Sequence, residues 1–413
     1  MIQHEISQNL SGAKLAAYQK FESLGFPTTH HEDWRYTNLK KLLPSTLTSA
    51  KNEAVPTEVI EEIKKQFPKT DGLLFFNNGV FDPVHSHYPK ELNLTQSTQV
   101  ESETEEIKAD ALTYLNQALS PTTVTELHIP KNYKGSLLII KYARGVATTA
   151  YGSILNLKLD EGAELVLGQY QTDHQESTGL STGETSIVQE KNSKLTLIDL
   201  VHARSQEARL NRTNITLKRD AHLHSVTLLL SSQLTRADLN ITLNETGAHA
   251  IVDALYTLKD QGHADIFSHI HHASPHTTSE QLVKGILAGE ARGVFTGKVV
   301  VHKNAVQVNA SQLNKNLLMT KKAHVNTRPQ LEVYADDVKC AHGATIGQLN
   351  PDELFYLQSR GLDGIRAQQL ICHAFVLDVI EKLELPLWRE SLSLIVEREF
   401  EVQMNKLFLQ EVL

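Results

Sequence analysis

Leu155-Asn156-Leu157-Lys158-Leu159 runs into Asp160-Glu161-Gly162-Ala163, and that turn leads to Leu165-Val166-Leu167. Apolar residues at every second position mark a strand with one buried face, and the polar tetrapeptide marks a turn closed by a small residue. The unit returns: Glu190-Lys191-Asn192-Ser193 precedes Leu195-Thr196-Leu197, Arg219-Asp220-Ala221 precedes Leu223, and Glu245-Thr246-Gly247-Ala248 precedes Ile251. The closing residues Ala163, Ser193, Ala221 and Ala248 lie 30, 28 and 27 positions apart. One strand–turn–strand copy cannot bury its own apolar face, whereas stacked copies make a continuous core, so near-constant spacing predicts a β-solenoid over 121–345. An open β-sandwich is the competing architecture, and the drift in spacing counts against a perfectly regular coil.

Outward from this body the texture changes at both ends. Residues 1–120 are mixed. Leu10, Lys14, Ala17, Phe21 and Leu24 recur at helical spacing before Gly25-Phe26-Pro27, and 28–43 reads as irregular. Leu73-Leu74-Phe75-Phe76 meets Asn77-Asn78-Gly79, which predicts a hairpin turn before Val80-Phe81. The acidic stretch Glu101–Glu106 leads into an expected helix ending near Leu119. From 346 to 413 the pattern is helical. Asn350-Pro351-Asp352-Glu353 supplies an N-cap, a proline at N1 and an acid at N3, and Gly361 and Gly364 separate two helices. Beyond Pro386 a less regular tail is expected.

Composition narrows the function. With 40 Lys and Arg against 48 Asp and Glu, the net charge is −8, and the longest basic runs are pairs such as Lys40-Lys41 and Lys321-Lys322. Nucleic-acid binding needs clustered cations and is not expected. No apolar run approaches the ~20 residues of a membrane span, and Met1-Ile2-Gln3-His4-Glu5 opens no secretory signal. Two cysteines, Cys340 and Cys372, fit a reducing cytoplasm.

Motifs for catalysis are missing: no phosphate loop, no dinucleotide fingerprint and no nucleophile elbow, so the chain does not read as an enzyme. His263, His269, His271, His272 and His276 crowd together, and His269 and His271 share a strand face, but no zincin spacing accompanies them. A polar ladder or buried hydrogen-bonding set is the preferred reading, with no stoichiometric zinc. Cys340 and His342 also share a face, ~7 Å apart on a strand. Thiolate and imidazole suit iron or an iron–sulfur cluster, but two ligands cannot complete a site, and on the residues alone a buried cysteine beside a surface histidine is the preferred reading of the pair.

From Gln281 to Gly361 the chain resembles the SufB/SufD family. The stretches that carry the resemblance are Lys284-Gly285-Ile286-Leu287-Ala288-Gly289-Glu290-Ala291-Arg292-Gly293-Val294-Phe295-Thr296-Gly297, Gln312–Leu318, Pro329–Cys340 and Leu354–Gly361. His31-Glu32-Asp33-Trp34-Arg35-Tyr36-Thr37-Asn38-Leu39 is similar to the family's N-terminal segment, and Cys340-Ala341-His342-Gly343 resembles its SufD form, since the SufB form usually has Glu at the place of Gly343.

The resemblance implies a right-handed parallel β-helix core, 121–345, between a mixed helical N-terminal region, 1–120, and a helical C-terminal domain, 346–413. It further implies a scaffold for iron–sulfur cluster assembly with two partners: a SufB-like subunit and a SufC-like ABC ATPase, the latter docked on the C-terminal helices. A homodimer when isolated is a further expectation. Cys340 and His342 are the implied ligands for iron or a transient cluster at the SufB interface, with no cofactor in the isolated chain. Cys372 matches no family motif and reads as core. A β-helix carbohydrate-active enzyme and a purely structural solenoid are the alternatives.

Overall fold

The computed structural model describes residues 6, 10–44, 46–50, 54–98, 109–144, 148–174, 177–203, 205–230 and 233–411, with side chains as far as 400; the acidic stretch Glu101–Glu106 lies outside them. From Val124 to Gly347 the chain winds as a parallel β-solenoid of about seven turns, each turn giving one strand to each of two sheets. Register is kept from turn to turn: Glu164 pairs with Lys194, Lys194 with His222 and His222 with His249. Leu157, Ile187, Ile215, Ile241, Ile270 and Val299 form one interior column, facing Leu165, Leu195, Leu223 and Ala250 of the opposite sheet.

The turns explain the repeat. Ala163, Ser193, Ala221 and Ala248 are all buried, because a larger side chain has no room where one turn stacks on the next. Each follows a residue in the left-handed region: Gly162, Asn192, Asp220 and Gly247, with φ of 69°, 59°, 53° and 76°. Asn132, His276, Gln307 and Asp337 occupy the same place in the other turns, with φ of 57°, 57°, 55° and 53°. Gly, Asn and Asp adopt this conformation at least cost, which is why the turns read as they do.

At the N-terminal end, Gly72–Asn77 joins one sheet parallel to Lys134–Ala143, so the region 1–120 contributes strands as well as helices. Asn78 and Gly79, at φ 46° and 80°, make the expected hairpin turn into Val80–His87. That antiparallel strand closes its sheet, and Asn93–Ser97, antiparallel to Val124–Ile129, closes the other. Pro83 on the outer strand further blunts that edge. The helix Gly12–Leu24 ends at Gly25 (φ 70°), and with the capped helix Ala111–Leu119 it covers Ala150, Leu180, Ala208 and Leu210 on the outer sheet face. Residues 28–43, expected to be irregular, hold a single 3-10 turn at Glu32–Trp34 and a short helix at Leu39–Leu42.

Beyond the solenoid, Asn350 caps Pro351–Ser359, accepting from the Asp352 N–H at 2.9 Å, and Asp363 caps Gly364–Ile380. The expected irregular tail is instead one helix, Pro386–Glu411. Proline at a helix start loses no bond, so Pro386 begins this element rather than breaking it. Trp388, Leu392, Val376 and Ile380 cover Tyr170, Ile198 and Leu228 on the second sheet. No helix among the described residues is long and apolar enough to cross a membrane.

Candidate metal-ligand site at the open end of the solenoid

The C-terminal end has no closing strand among the described residues: the sheets finish at His324–Val333 and Lys339–Gly347. Their edges differ. In a parallel ladder alternate residues bond the same neighbour. The His324 N–H donates to Ala291 O and the Tyr334 N–H to Val301 O, so the odd-numbered residues of the first strand face the free edge, and one of them is Pro329, without an N–H. In the second strand the Lys339 N–H donates to Val308 O at 2.8 Å, which leaves Cys340, His342, Ala344 and Ile346 presenting N–H and C=O to the free edge. No proline interrupts this second edge.

The two candidate ligands sit on this last strand. Cys340, half-buried, packs against the interior core, and alternation puts His342 on the same side, with the latter exposed. Burial pushes the Cys340 thiol up, opposed by the Ala310 backbone bond. A bare thiolate is therefore disfavoured until a metal or a neighbouring charge draws off the proton. A Cβ on Gly343 would come within 3.3 Å of Leu313 Cδ1, so this glycine also serves close packing inside the chain.

The five clustered histidines separate. His269 and His271 do share the outer face, with ring centroids 4.0 Å apart, and His271 Nδ1 lies 3.2 Å from His302 Nε2 of the next turn. His272 points inward, between Thr277 Oγ1 and Ser279 Oγ at 2.8 Å each. His263 bonds Thr37 at 3.0 Å, and His276 is the left-handed turn residue. Burial, then the neighbouring His271 and Lys298, holds His269 down at about 3; burial, then His271 and His302, holds His272 at about 4. Among the described residues no three His, Cys, Asp or Glu side chains are placed to hold a metal ion. Cys372 is buried in the helical layer with Sγ 3.6 Å from Met319 Sδ, and burial pushes its thiol up to about 12.

One feature next to the site escaped the sequence reading. Gln312 Nε2 donates to Gln281 Oε1 at 2.7 Å, and Gln281 Nε2 to Ser268 Oγ at 2.8 Å, a polar chain through the interior. Gln281, Gln312 and His342 are register partners on successive turns, so the chain points at the candidate ligand. The only signal was Gln recurring one solenoid turn apart, which means nothing until the register is known.

The model of the SufBD core domain of the SUF system for FeS cluster assembly matches residues 145–375, and that of the SufBD N-terminal region matches 1–136. The chain belongs to the SufBD family. It is 28% identical to the iron-sulfur cluster assembly protein SufD of Escherichia coli K12, over 88% of this chain and 87% of that one. It is 34% identical to an iron-sulfur cluster assembly SufBD family protein of Synechocystis, over 56% of this chain and 45% of the relative. In this SufBD chain the motif glycines prove to be sockets. A Cβ on Gly293 would lie 2.7 Å from Tyr256 Cε2, one on Gly285 would lie closer still to the same ring, and Gly297 makes room for the Gln312 amide. The N-terminal motif is a clasp: the Trp34 ring lies 3.9 Å from the Arg236 guanidinium, which also bonds Asp33 O, Asp238 and Asp265.

Proposed function

We propose that this chain is a scaffold subunit for iron–sulfur cluster assembly in a reducing cytoplasm. Its open solenoid edge pairs with a SufB-type subunit, its C-terminal helices dock a SufC-type ATPase, and Cys340 and His342 supply part of the ligand set for the nascent cluster, the complex's cargo. The observation that carries this reading is the coincidence of a free, proline-less strand edge with a thiol and an imidazole on that same strand. An edge of this kind is a template for another chain, and two donors are half of a tetrahedral site. The ATPase surface rests on Phe355, Tyr356 and Leu370, apolar and exposed on the first two C-terminal helices beside a groove reaching Phe375. In the partner's absence a second copy can take the same edge.

The test is anaerobic reconstitution after co-expression with a SufB-type subunit and a SufC-type ATPase. Cys340→Ser and His342→Ala are expected to assemble normally, because neither removes a backbone bond, while iron and sulfide per complex fall about tenfold or more. Wild-type loading in both variants would assign the ligands to the partner alone.

A further inference from the structure

The polar chain Ser268–Gln281–Gln312 ends on an unmade bond. Gln312 is 3% exposed, its Nε2 is committed to Gln281, and its Oε1 is buried with no hydrogen-bond donor among the described residues. An acceptor in that position is costly to leave unpaired, and water does not reach it. On the open side of Gln312 the next residue in register is His342, whose strand lies ~4.8 Å away and whose side chain leaves the strand on the same side. The imidazole is exposed, so it has room to turn about its side-chain bonds. The amide itself cannot swing away, since it sits across the interior against Gly297 and is held by Gln281.

We propose that Gln312 is a positioning residue, accepting a hydrogen bond from one ring N–H of His342 and so fixing which imidazole nitrogen is offered at the open end. Histidines that bind metals have their other ring nitrogen held by such an acceptor, which sets tautomer and ring direction. This rests on the reading of His342 as a ligand, but the bond itself requires neither metal nor partner. Gln281 and Ser268 act one step further back by keeping the Gln312 oxygen, rather than its nitrogen, turned outward.

The experiment is 15N-imidazole NMR of the isolated, full chain at alkaline pH, with the His342 signals assigned by their loss in His342→Ala. Wild type is expected to hold His342 in a single tautomer. Gln312→Met, of similar length but without the acceptor, returns it to the mixed tautomers of a solvated imidazole, and Gln312→Glu, which keeps an acceptor oxygen, restores one. Mixed tautomers in the wild type overturn the proposal whether or not the variants fold, as does a single tautomer unmoved in folded Gln312→Met. Cluster loading is measured separately: loss of loading in His342→Ala with mixed wild-type tautomers leaves the ligand standing and removes Gln312, while the reverse result removes the ligand and keeps the bond.

Discussion

Tyr256 is fully buried in the interior, its hydroxyl donating to Asn316 Oδ1 and its ring lying against Gly285 and Gly293. The ring cannot retreat without breaking that bond. Gly293→Ala is therefore expected to cost about 1–3 kcal/mol through overpacking, read as a lower urea midpoint at unchanged slope. His272 offers a second test. It stands in an interior column otherwise filled by residues such as Leu217, Leu243 and Val301, and burial keeps it neutral, with its pKa lowered from 6.5 to about 4. The unfolded chain takes up the proton first, so this site's contribution is whole above pH 6.5 and declines as pH falls toward about 4, a loss on the order of 3 kcal/mol. His272→Leu is expected to flatten the stability profile across that window, and an unchanged slope would contradict the assignment.

Among the elements, the C-terminal helices depend on Trp388. Its ring occupies the hollow left by Gly168 on the outer sheet face and lies 6.0 Å from Phe67, which in turn packs on Tyr170. Trp388→Ala is expected to destabilise the chain by about 3–5 kcal/mol and to weaken capture of a SufC-type ATPase in a pull-down; full capture would move the docking surface off these helices. What the sequence told at this scale followed from locality. The turn-closing residues Ala163, Ser193, Ala221 and Ala248 announced the solenoid because each turn repeats the same local conformation, and the Asn350 cap announced its helix for the same reason. The long helix from Pro386 was missed because a proline reads alike as a breaker and as a first residue. The joining of Gly72–Asn77 to Lys134–Ala143 depends on a pairing across about 60 residues that no local pattern encodes. At the site, the shared face of Cys340 and His342 followed from alternation alone. Gln312 and the approach of His302 to His271 needed the register between turns.

At the scale of the whole molecule the two ends differ: among the described residues one finishes in antiparallel strands, with Pro83 on one of them, and the other in parallel strands, one of whose free edges carries no proline. Ala344 faces that edge, so Ala344→Pro removes a free N–H and no bond to the preceding strand. The variant is expected to fold with β-rich circular dichroism yet fail to co-elute with a SufB-type subunit on size exclusion; undiminished co-elution would place the interface elsewhere.

The difference between the ends also bears on how molecules can join. A rod with two open ends is divalent and grows without bound, by head-to-tail steps that need not close. Among the described residues only one end of this chain continues the parallel register of the coil. If a second chain, identical or homologous, pairs there, it meets this one mouth to mouth, across a two-fold or pseudo-two-fold axis, and the pairing occupies the edge on which the coil would otherwise continue. The hairpin turned by Asn78 and Gly79 interrupts that parallel register at the other end.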